Sequence, residues 1–385
     1  MNRRICFVTG SRADYGLILG PMRMIRDDPD LDLQLIVTGT HLAASYGETQ
    51  RPIEDDGFAV DARVDMVLAA DTPVAVTKAT GLAVIGFADA LDRLRPDILF
   101  IPGDRYEMLA AAQAALIARI PIAHLCGGDV TEGAFDEAIR HSITKMAHLH
   151  FVTNRDAQRR VCQLGEAPDH VFKVGSPGLD TLLAAEAMDR DAFFASLGME
   201  PRARTLLVTF HPPTLDALEP VLQLEELLAA LDGLGPDFGF VFTGSNADTE
   251  GGRLNQRIMA YAAGRDGAEF YASLGLRRYA AALRHVDVVV GNSSSGLYEA
   301  PSFATPTVNI GDRQKGRLRA DSVIDCAPER KAIRAAINRA LSLDCSGVVN
   351  PYGDGRSAPR ILAVLKAVAD PSALLKKHFH DWTKS

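Results

Sequence analysis

The chain has 385 residues, too many for one ordinary domain and about right for two. Its 41 Lys and Arg against 49 Asp and Glu give a net charge of −8, which excludes the basic footprint of a phosphate-backbone binder, so no nucleic-acid partner is expected. Hydrophobic residues at 47% and charged residues at 23% are the balance of a folded globular chain, which excludes disorder as a global state.

In chain order, the first half predicts strands over 5–9, 33–38, 97–101, 122–125, 150–153 and 171–174, and helices over 72–94, 106–118 and 136–147. The strand runs are apolar on both faces, as strands buried in a parallel sheet must be, and the helices between them make crossover units. A mixed segment over 184–204 ends in Met199-Glu200-Pro201-Arg202, and the pattern then restarts. Strands are predicted over 205–210, 238–243, 286–290, 307–310 and 323–326, with helices over 218–231, 277–283 and 331–341. The fold class is α/β: two Rossmann-like, doubly wound domains, 1–183 and 184–357, facing a cleft. Ligands of such sheets sit beyond the carboxyl ends of the strands, so chemistry is expected in those loops.

The five cysteines (Cys6, Cys126, Cys162, Cys326 and Cys345) are scattered with no C-x-x-C pair, which fits neither a disulfide framework nor a zinc site. The apolar stretch 5–8 is far shorter than the core of a signal peptide, and Arg119 interrupts the best apolar candidate for a membrane helix, 110–125. A cytoplasmic protein with no membrane partner is expected.

Gly10-Ser11-Arg12-Ala13-Asp14-Tyr15-Gly16 follows the first strand. Its glycines permit a tight turn, the next helix offers unpaired N–H groups to an anion, and Arg12 adds a permanent forked charge; an ordinary turn with a solvated Arg is the plainer alternative. No G-x-G-x-x-G is present, so a dinucleotide fingerprint is missing. Asp104, in Pro102-Gly103-Asp104-Arg105-Tyr106-Glu107, is either a helix cap or a functional acid at the edge of a central strand, with Arg105 placed to orient it or to hold a phosphate.

The densest polar cluster follows Cys126-Gly127-Gly128: Asp129, Glu132, Asp136 and Glu137, then Arg140 and His141. Acids at a helix start with bases a turn later partly balance the helix dipole, but a Gly-Gly bend also lets backbone approach a ligand. In the second half, Pro212 and Pro213 hold His211 at a sheet edge. Gly291-Asn292-Ser293-Ser294-Ser295-Gly296 reads as a loop whose N–H and hydroxyl groups wrap a pyrophosphate, with Glu299 placed for two ribose hydroxyls and Arg313 for the phosphate charge. A serine-rich helix cap is the alternative.

Together GSRADYG (10–16), PGDRYE (102–107), GGDVTEGAFDEAIRHSITKMAHLHF (127–151), FHPPT (210–214), GNSSSGLYEA (291–300) and NIGDRQKGR (309–317) resemble the hydrolysing UDP-N-acetylglucosamine 2-epimerases of sialic-acid and legionaminic-acid biosynthesis. The resemblance runs in order from residue 3 to about 326. It implies a fold of the glycosyltransferase-B type, with a C-terminal helix over 358–385 crossing back to the first domain. It implies a UDP-sugar as partner, bound mainly through the second domain, a homodimer or homotetramer, and no metal or other cofactor. The sugar is left open between N-acetylglucosamine and N,N′-diacetylbacillosamine. The implied chemistry is elimination of UDP across C1 and C2 to a glycal, then addition of water with inversion at C2.

Carried over residue by residue, the resemblance implies catalytic acids at Asp104 and Asp136. Nucleotide ligands are implied at Arg12, Arg105, His211, Ser293, Ser294, Glu299 and Arg313, with Asn292 in the same serine loop and a cleft residue at Asn246. Some relatives carry a catalytic Glu two residues after a strand His, whereas here His124-Leu125 is followed by Cys126. Either Asp129, past two glycines, takes over that proton transfer, which is the outcome expected, or the mechanism or substrate is shifted. A non-hydrolysing 2-epimerase, a glycosyltransferase of the same fold and a nucleotide-sugar-binding regulator without turnover stand as alternatives.

Overall fold

The computed structural model describes residues 2–43, 50–68, 72–131, 135–212, 219–244 and 251–381. The chain forms two compact units, Met1–Thr181 with Tyr352–Ser385, and Leu182–Pro351. In the first, β1 (Arg3–Thr9), β2 (Leu31–Thr38), β3 (Ala62–Val64), β4 (Ile98–Pro102), β5 (Ile122–Leu125), β6 (Leu149–Val152) and β7 (Val171–Lys173) make one sheet in the order β3-β2-β1-β4-β5-β6-β7. Every neighbouring pair is parallel.

Alternation along β1 explains its double burial. Ile5 and Phe7 join one core layer, where Phe7 stacks on Phe100 at 4.5 Å between ring centroids, beside the Arg12–Arg26 helix. Cys6 and Val8 join the other layer, under the Pro73–Leu94 and Tyr106–Ile117 helices. Each fully buried large side chain of this kind contributes about 1.5–3 kcal/mol over its exposed state.

The second unit repeats the plan. Its strands β8 (Arg204–Thr209), β9 (Phe238–Thr243), β10 (Ala268–Tyr271), β11 (Val288–Gly291), β12 (Thr307–Ile310) and β13 (Val323–Cys326) run in the order β10-β9-β8-β11-β12-β13, again all parallel. Leu206, Val208 and Phe210 face the layer of the Pro220–Asp232 and Arg330–Ala340 helices, while Leu207 faces Phe193, Phe194 and Leu283. In both units the first strand in the sequence has its next two strands on one side and the later strands on the other. The direction of winding therefore reverses between β1 and β4 and between β8 and β11, the two points where such sheets bind ligands.

Three differences from the sequence expectations have physical reasons. The edge strands β3 and β10 were not anticipated, because each is short and carries an outward charge, Arg63 and Glu269, as protected edges do. The helix expected over 358–385 is Ser357–Ala367, followed by a short 3₁₀ turn at Pro371–Leu375. Asp180 starts it by accepting from the Ser357 and Ala358 N–H groups at 3.0 and 2.6 Å, and its Ile361 and Leu365 enter the first unit's core. Pro371 then bars further helix.

The third difference is the Pro73–Leu94 helix, whose 22 residues make it long and apolar enough by length and composition to cross a membrane. Lys78 and Asp89 break its apolar run, so the sequence does not single it out as a span. Ala75, Ala79, Ala83, Phe87, Ala90 and Leu91 are buried in the first unit's core.

Candidate active site

In the first unit, β1, β4 and β5 end together, and their loops gather the predicted acids. Asp104 lies just beyond β4, and its carboxylate pairs with Arg140 of the Asp136–Met146 helix. That guanidinium is buried. Its Nη1 donates to Glu137 Oε2 and to the Asp129 carbonyl, both at 2.7 Å, and its Nη2 donates to Thr131 Oγ1 at 2.7 Å as well as to Asp104. Glu137 in turn accepts from the Thr131 N–H at 2.6 Å and meets His141 Nε2 at 3.1 Å. Glu137 therefore fixes the loop.

Asp136 begins the same helix and is half-buried, with no ion pair among the described residues. Burial, and then the charge of Asp104, push its carboxyl above the ordinary carboxylate range. Among the described residues Asp104 is thus paired with a cation, and Asp136 is not. That separation is the arrangement acid–base chemistry requires.

The turn before Asp129 is rigid. Cys126 has a left-handed φ of 66° and Gly128 a φ of 77°, and a Cβ on Gly128 would lie 2.3 Å from the Ala157 carbonyl oxygen, so only glycine fits there. Asp129 Oδ1 accepts from Thr153 Oγ1 at 2.9 Å and from Asn154 Nδ2 at 3.3 Å, beyond the end of β6. The two glycines are packed turns and do not act as a free hinge. Burial, with Asp129 and Asp104 adding to it, pushes the Cys126 thiol well above its ordinary range, so it stands neutral.

Arg105 is committed elsewhere. Its Nε and Nη2 donate to the buried Glu107 at 3.0–3.3 Å, a forked pair two residues apart. Nearby, Asp14 is buried and accepts from Ser11 Oγ at 2.8 Å and the Gly10 N–H at 3.3 Å; burial raises its pKa to about 6. Arg12 is exposed at the start of its helix. His124 ties β5 to the Asp104 turn: its Nε2 donates to the Gly103 carbonyl at 2.8 Å, and burial lowers its pKa to about 3, so the ring is neutral.

At the second unit's reversal point, His211 follows β8 and the serine loop follows β11. Gly291 has a φ of 139°, and a Cβ there would sit 1.9 Å from the Thr209 carbonyl oxygen, which seats the loop directly on β8. The Asn292 side chain clamps the His211 backbone: Oδ1 accepts from its N–H at 2.7 Å and Nδ2 donates to its carbonyl at 2.8 Å. Arg313 and Gln314 both donate to the Asn292 carbonyl, at 3.1 and 2.8 Å. Burial, then the Arg313 charge, lower the His211 pKa to about 4.

Thr209, His211, Thr243, Ser293, Ser295, Tyr279 and Glu299 line a cavity of about 480 Å³, together with the segment 272–276 that leads into the Gly275–His285 helix. Ser295 Oγ donates to Glu299 Oε2 at 2.5 Å and also bonds the Tyr279 hydroxyl. Burial raises the Glu299 pKa. Asn292, Ser294 and Arg313 are not on the cavity wall. Asn246 and Glu132 lie outside the described residues.

In the sequence Arg140 stands only as charge balance on a helix, and nothing there singles out Glu107, His124, Ser295 or Tyr279. For Arg140 the one available signal was its spacing: it falls three and four residues after Glu137 and Asp136, on the same helix face.

Two doubly wound units of one strand order define a protein of the glycosyltransferase-B class of fold. Within that class the chain belongs to the UDP-N-acetylglucosamine 2-epimerase family, whose profile matches residues 23–366. It is 39% identical to the GDP/UDP-N,N′-diacetylbacillosamine 2-epimerase (hydrolyzing) of Campylobacter jejuni over 84% of each chain. It is 35% identical to the UDP-N,N′-diacetylbacillosamine 2-epimerase (hydrolyzing) of Legionella pneumophila over 98% of this chain and 99% of the other. Its fold matches the crystal structure of UDP-GlcNAc 2-epimerase from Neisseria meningitidis bound to UDP-GlcNAc, with a TM-score of 0.74 at 15% identity, covering 94% of this chain and 99% of the other.

Proposed function

We propose that this protein is a hydrolysing 2-epimerase of a UDP-2-acetamido sugar, with N,N′-diacetylbacillosamine favoured over N-acetylglucosamine by the names of the two hydrolysing relatives. The observation that carries the reading is the sorted pair of acids, Asp104 joined to Arg140 and Asp136 left unpaired with a raised pKa. A base removes the C2 proton, the C1–O bond breaks with its electron pair going to UDP, and a C1=C2 double bond forms. Water then adds hydroxyl at C1 and a proton at the opposite face of C2. The net products are UDP and the free 2-epimer.

In this scheme Asp104 is the base, Asp136 holds the proton to be returned, and Asp129 serves the same step from the rigid turn beside them. The second unit binds the nucleotide: Glu299 takes ribose hydroxyls, Ser293 and Ser294 meet phosphate, and His211 and Arg313 complete an anion site with Asn292 holding His211 in place. Arg12 and Asn246 add contacts to the phosphates and the sugar. Arg105, already forked onto Glu107, supports the site by its charge.

Two copies pair through the first unit. Ile85 and Ile117 are 65% and 80% exposed, beside a groove of about 470 Å³ whose charged margin carries both signs, Arg4 and Arg95 with Asp92 and Asp97, as a self-complementary face requires. The five free thiols fit a reducing, cytoplasmic setting.

The test is incubation with each UDP-sugar in heavy water, with products identified by NMR. Free 2-epimer deuterated at C2, together with UDP, is expected. An intact epimerised UDP-sugar makes the protein a non-hydrolysing epimerase, and transfer to an acceptor without C2 exchange makes it a transferase.

A further inference from the structure

Resting on the reading above, we infer that Arg140 is a positioning residue of the reaction, the single cation that aims Asp104 at its proton and holds the Asp129–Thr131 turn beside it. Four observations carry this. The guanidinium is buried, so it must be compensated by well-placed partners. Both terminal nitrogens are fully used: Nη1 on Glu137 and the Asp129 carbonyl, Nη2 on Asp104 and Thr131. Those partners come from three places in the chain, the end of β4, the loop after β5 and the first turn of the helix itself. No other cation pairs with Asp104 among the described residues.

The geometry also explains why the two acids differ. Asp136 sits four residues before Arg140 on the same helix, a spacing at which an ion pair is ordinary. Arg140 forms its ion pairs with Asp104 and Glu137 instead, and at Asp136 burial and the Asp104 charge outweigh the more distant charges of Arg105 and Arg140 and favour the protonated form. A lysine cannot reproduce this. Its ammonium is a compact point charge with three donors, whereas a planar fork spans the two pairs of acceptors at once.

Arg140 makes no proposed contact with the nucleotide, so its loss should strike turnover and spare UDP binding. The experiment uses the full-length protein with UDP-N-acetylglucosamine and UDP-N,N′-diacetylbacillosamine as probes. Arg140→Ala and Arg140→Lys are compared with the parent for kcat and KM of UDP release, UDP affinity by calorimetry and thermal melting. Arg140→Ala is expected to lose about 100-fold or more in kcat with KM and UDP affinity within a few fold. Low millimolar guanidinium should restore part of that loss in a saturable way that sodium chloride at equal ionic strength does not. Arg140→Lys should fold and fall between the two.

If Arg140→Ala does not fold, the lysine variant decides: a selective kcat loss in a protein that melts like the parent supports the assignment. A folded Arg140→Ala or Arg140→Lys with parental kcat overturns it, as does a loss of kcat in Arg140→Ala that guanidinium leaves unchanged. A parent that releases no UDP from either sugar nucleotide overturns the functional reading and the role built on it. An active parent with indifferent Arg140 variants removes only that role.

Discussion

The two units share one strand order and differ in what fills the point where the winding reverses. The first unit gathers carboxylates there, Asp104, Asp129 and Asp136 near the buried Arg140, with Asp14 at the end of β1. The second places hydroxyls, a clamping amide and a neutral His211, with Glu299 as the one carboxyl on the cavity wall among the described residues. The same scaffold therefore supplies proton-transfer groups in one copy and anion and ribose partners in the other. The backbone sets where chemistry occurs, and a few loop residues after the strands set which chemistry it is.

The contrast is broken most directly by neutralising its acidic half. Asp104→Asn should lower turnover at least ~100-fold while UDP affinity stays near the parental value. Steady-state UDP release beside calorimetry with UDP checks both, and turnover within a few fold of the parent would reduce Asp104 to the cap of the Tyr106–Ile117 helix. Asp129→Asn should lose about tenfold or more, as expected of a participating acid. Its bonds to Thr153 and Asn154 give a competing structural role, so melting curves belong beside the rates. A destabilised variant with full specific activity would assign Asp129 to the turn alone.

The second unit answers to binding rather than rate. Arg313→Ala and Glu299→Ala should each weaken UDP binding about tenfold, the loss of roughly 1.5 kcal/mol for a charge-assisted bond, with little change in kcat at saturating substrate. Two variants that titrate like the parent would move the nucleotide away from the serine loop.

How much of this was visible in the sequence differs between fold and site. The nine interior strands were legible because a strand buried on both faces leaves an uninterrupted apolar run. Edge strands such as β3 and β10 leave none, since Arg63 and Glu269 interrupt them. The loops of the site were legible by composition, as Gly291 and Gly128 show, where only a missing Cβ allows the backbone to close on its neighbour. Partnerships were not legible. Asp104 and Arg140 are 36 residues apart and meet only because β4 and β5 lie side by side. Arg105 beside Asp104 looked free for phosphate, and its actual partner Glu107 was two residues away on the next helix turn. Asn292 sat in a loop read for phosphate, yet its amide holds the backbone of His211.

Acidity separates the units further. The folded pKa of His211, about 4, lies below its ordinary 6.5, so the folded state resists a proton that the unfolded chain accepts. Its contribution to stability is complete above pH 6.5 and is lost as the pH falls toward 4. His211→Gln should therefore lose less melting temperature than the parent between pH 7 and pH 4.5. Equal losses in both proteins would mean that His211 is not held neutral by burial.

The smallest effect is expected at Cys126, the residue that stands where some relatives carry a catalytic Glu. Its thiol cannot act as a carboxylic acid does, because burial and two nearby aspartates make it hold its proton too tightly to give it up or to serve as a base. What Cys126 contributes is geometry: its left-handed φ of 66° turns the chain from β5 toward Gly128, and its N–H donates to the Phe151 carbonyl at 2.9 Å. Serine is nearly the same size and keeps both features, so Cys126→Ser should hold turnover within a few fold of the parent. Its hydroxyl replaces a thiol that packs against the first unit's core, so a fall in melting temperature corresponding to about 1 kcal/mol is expected. Measured beside Asp129→Asn, the pair decides which residue replaces the missing Glu. An inactive Cys126→Ser with an active Asp129→Asn would sink the assignment of the acidic half of the comparison to Asp129 and return the proton transfer to the sulfur.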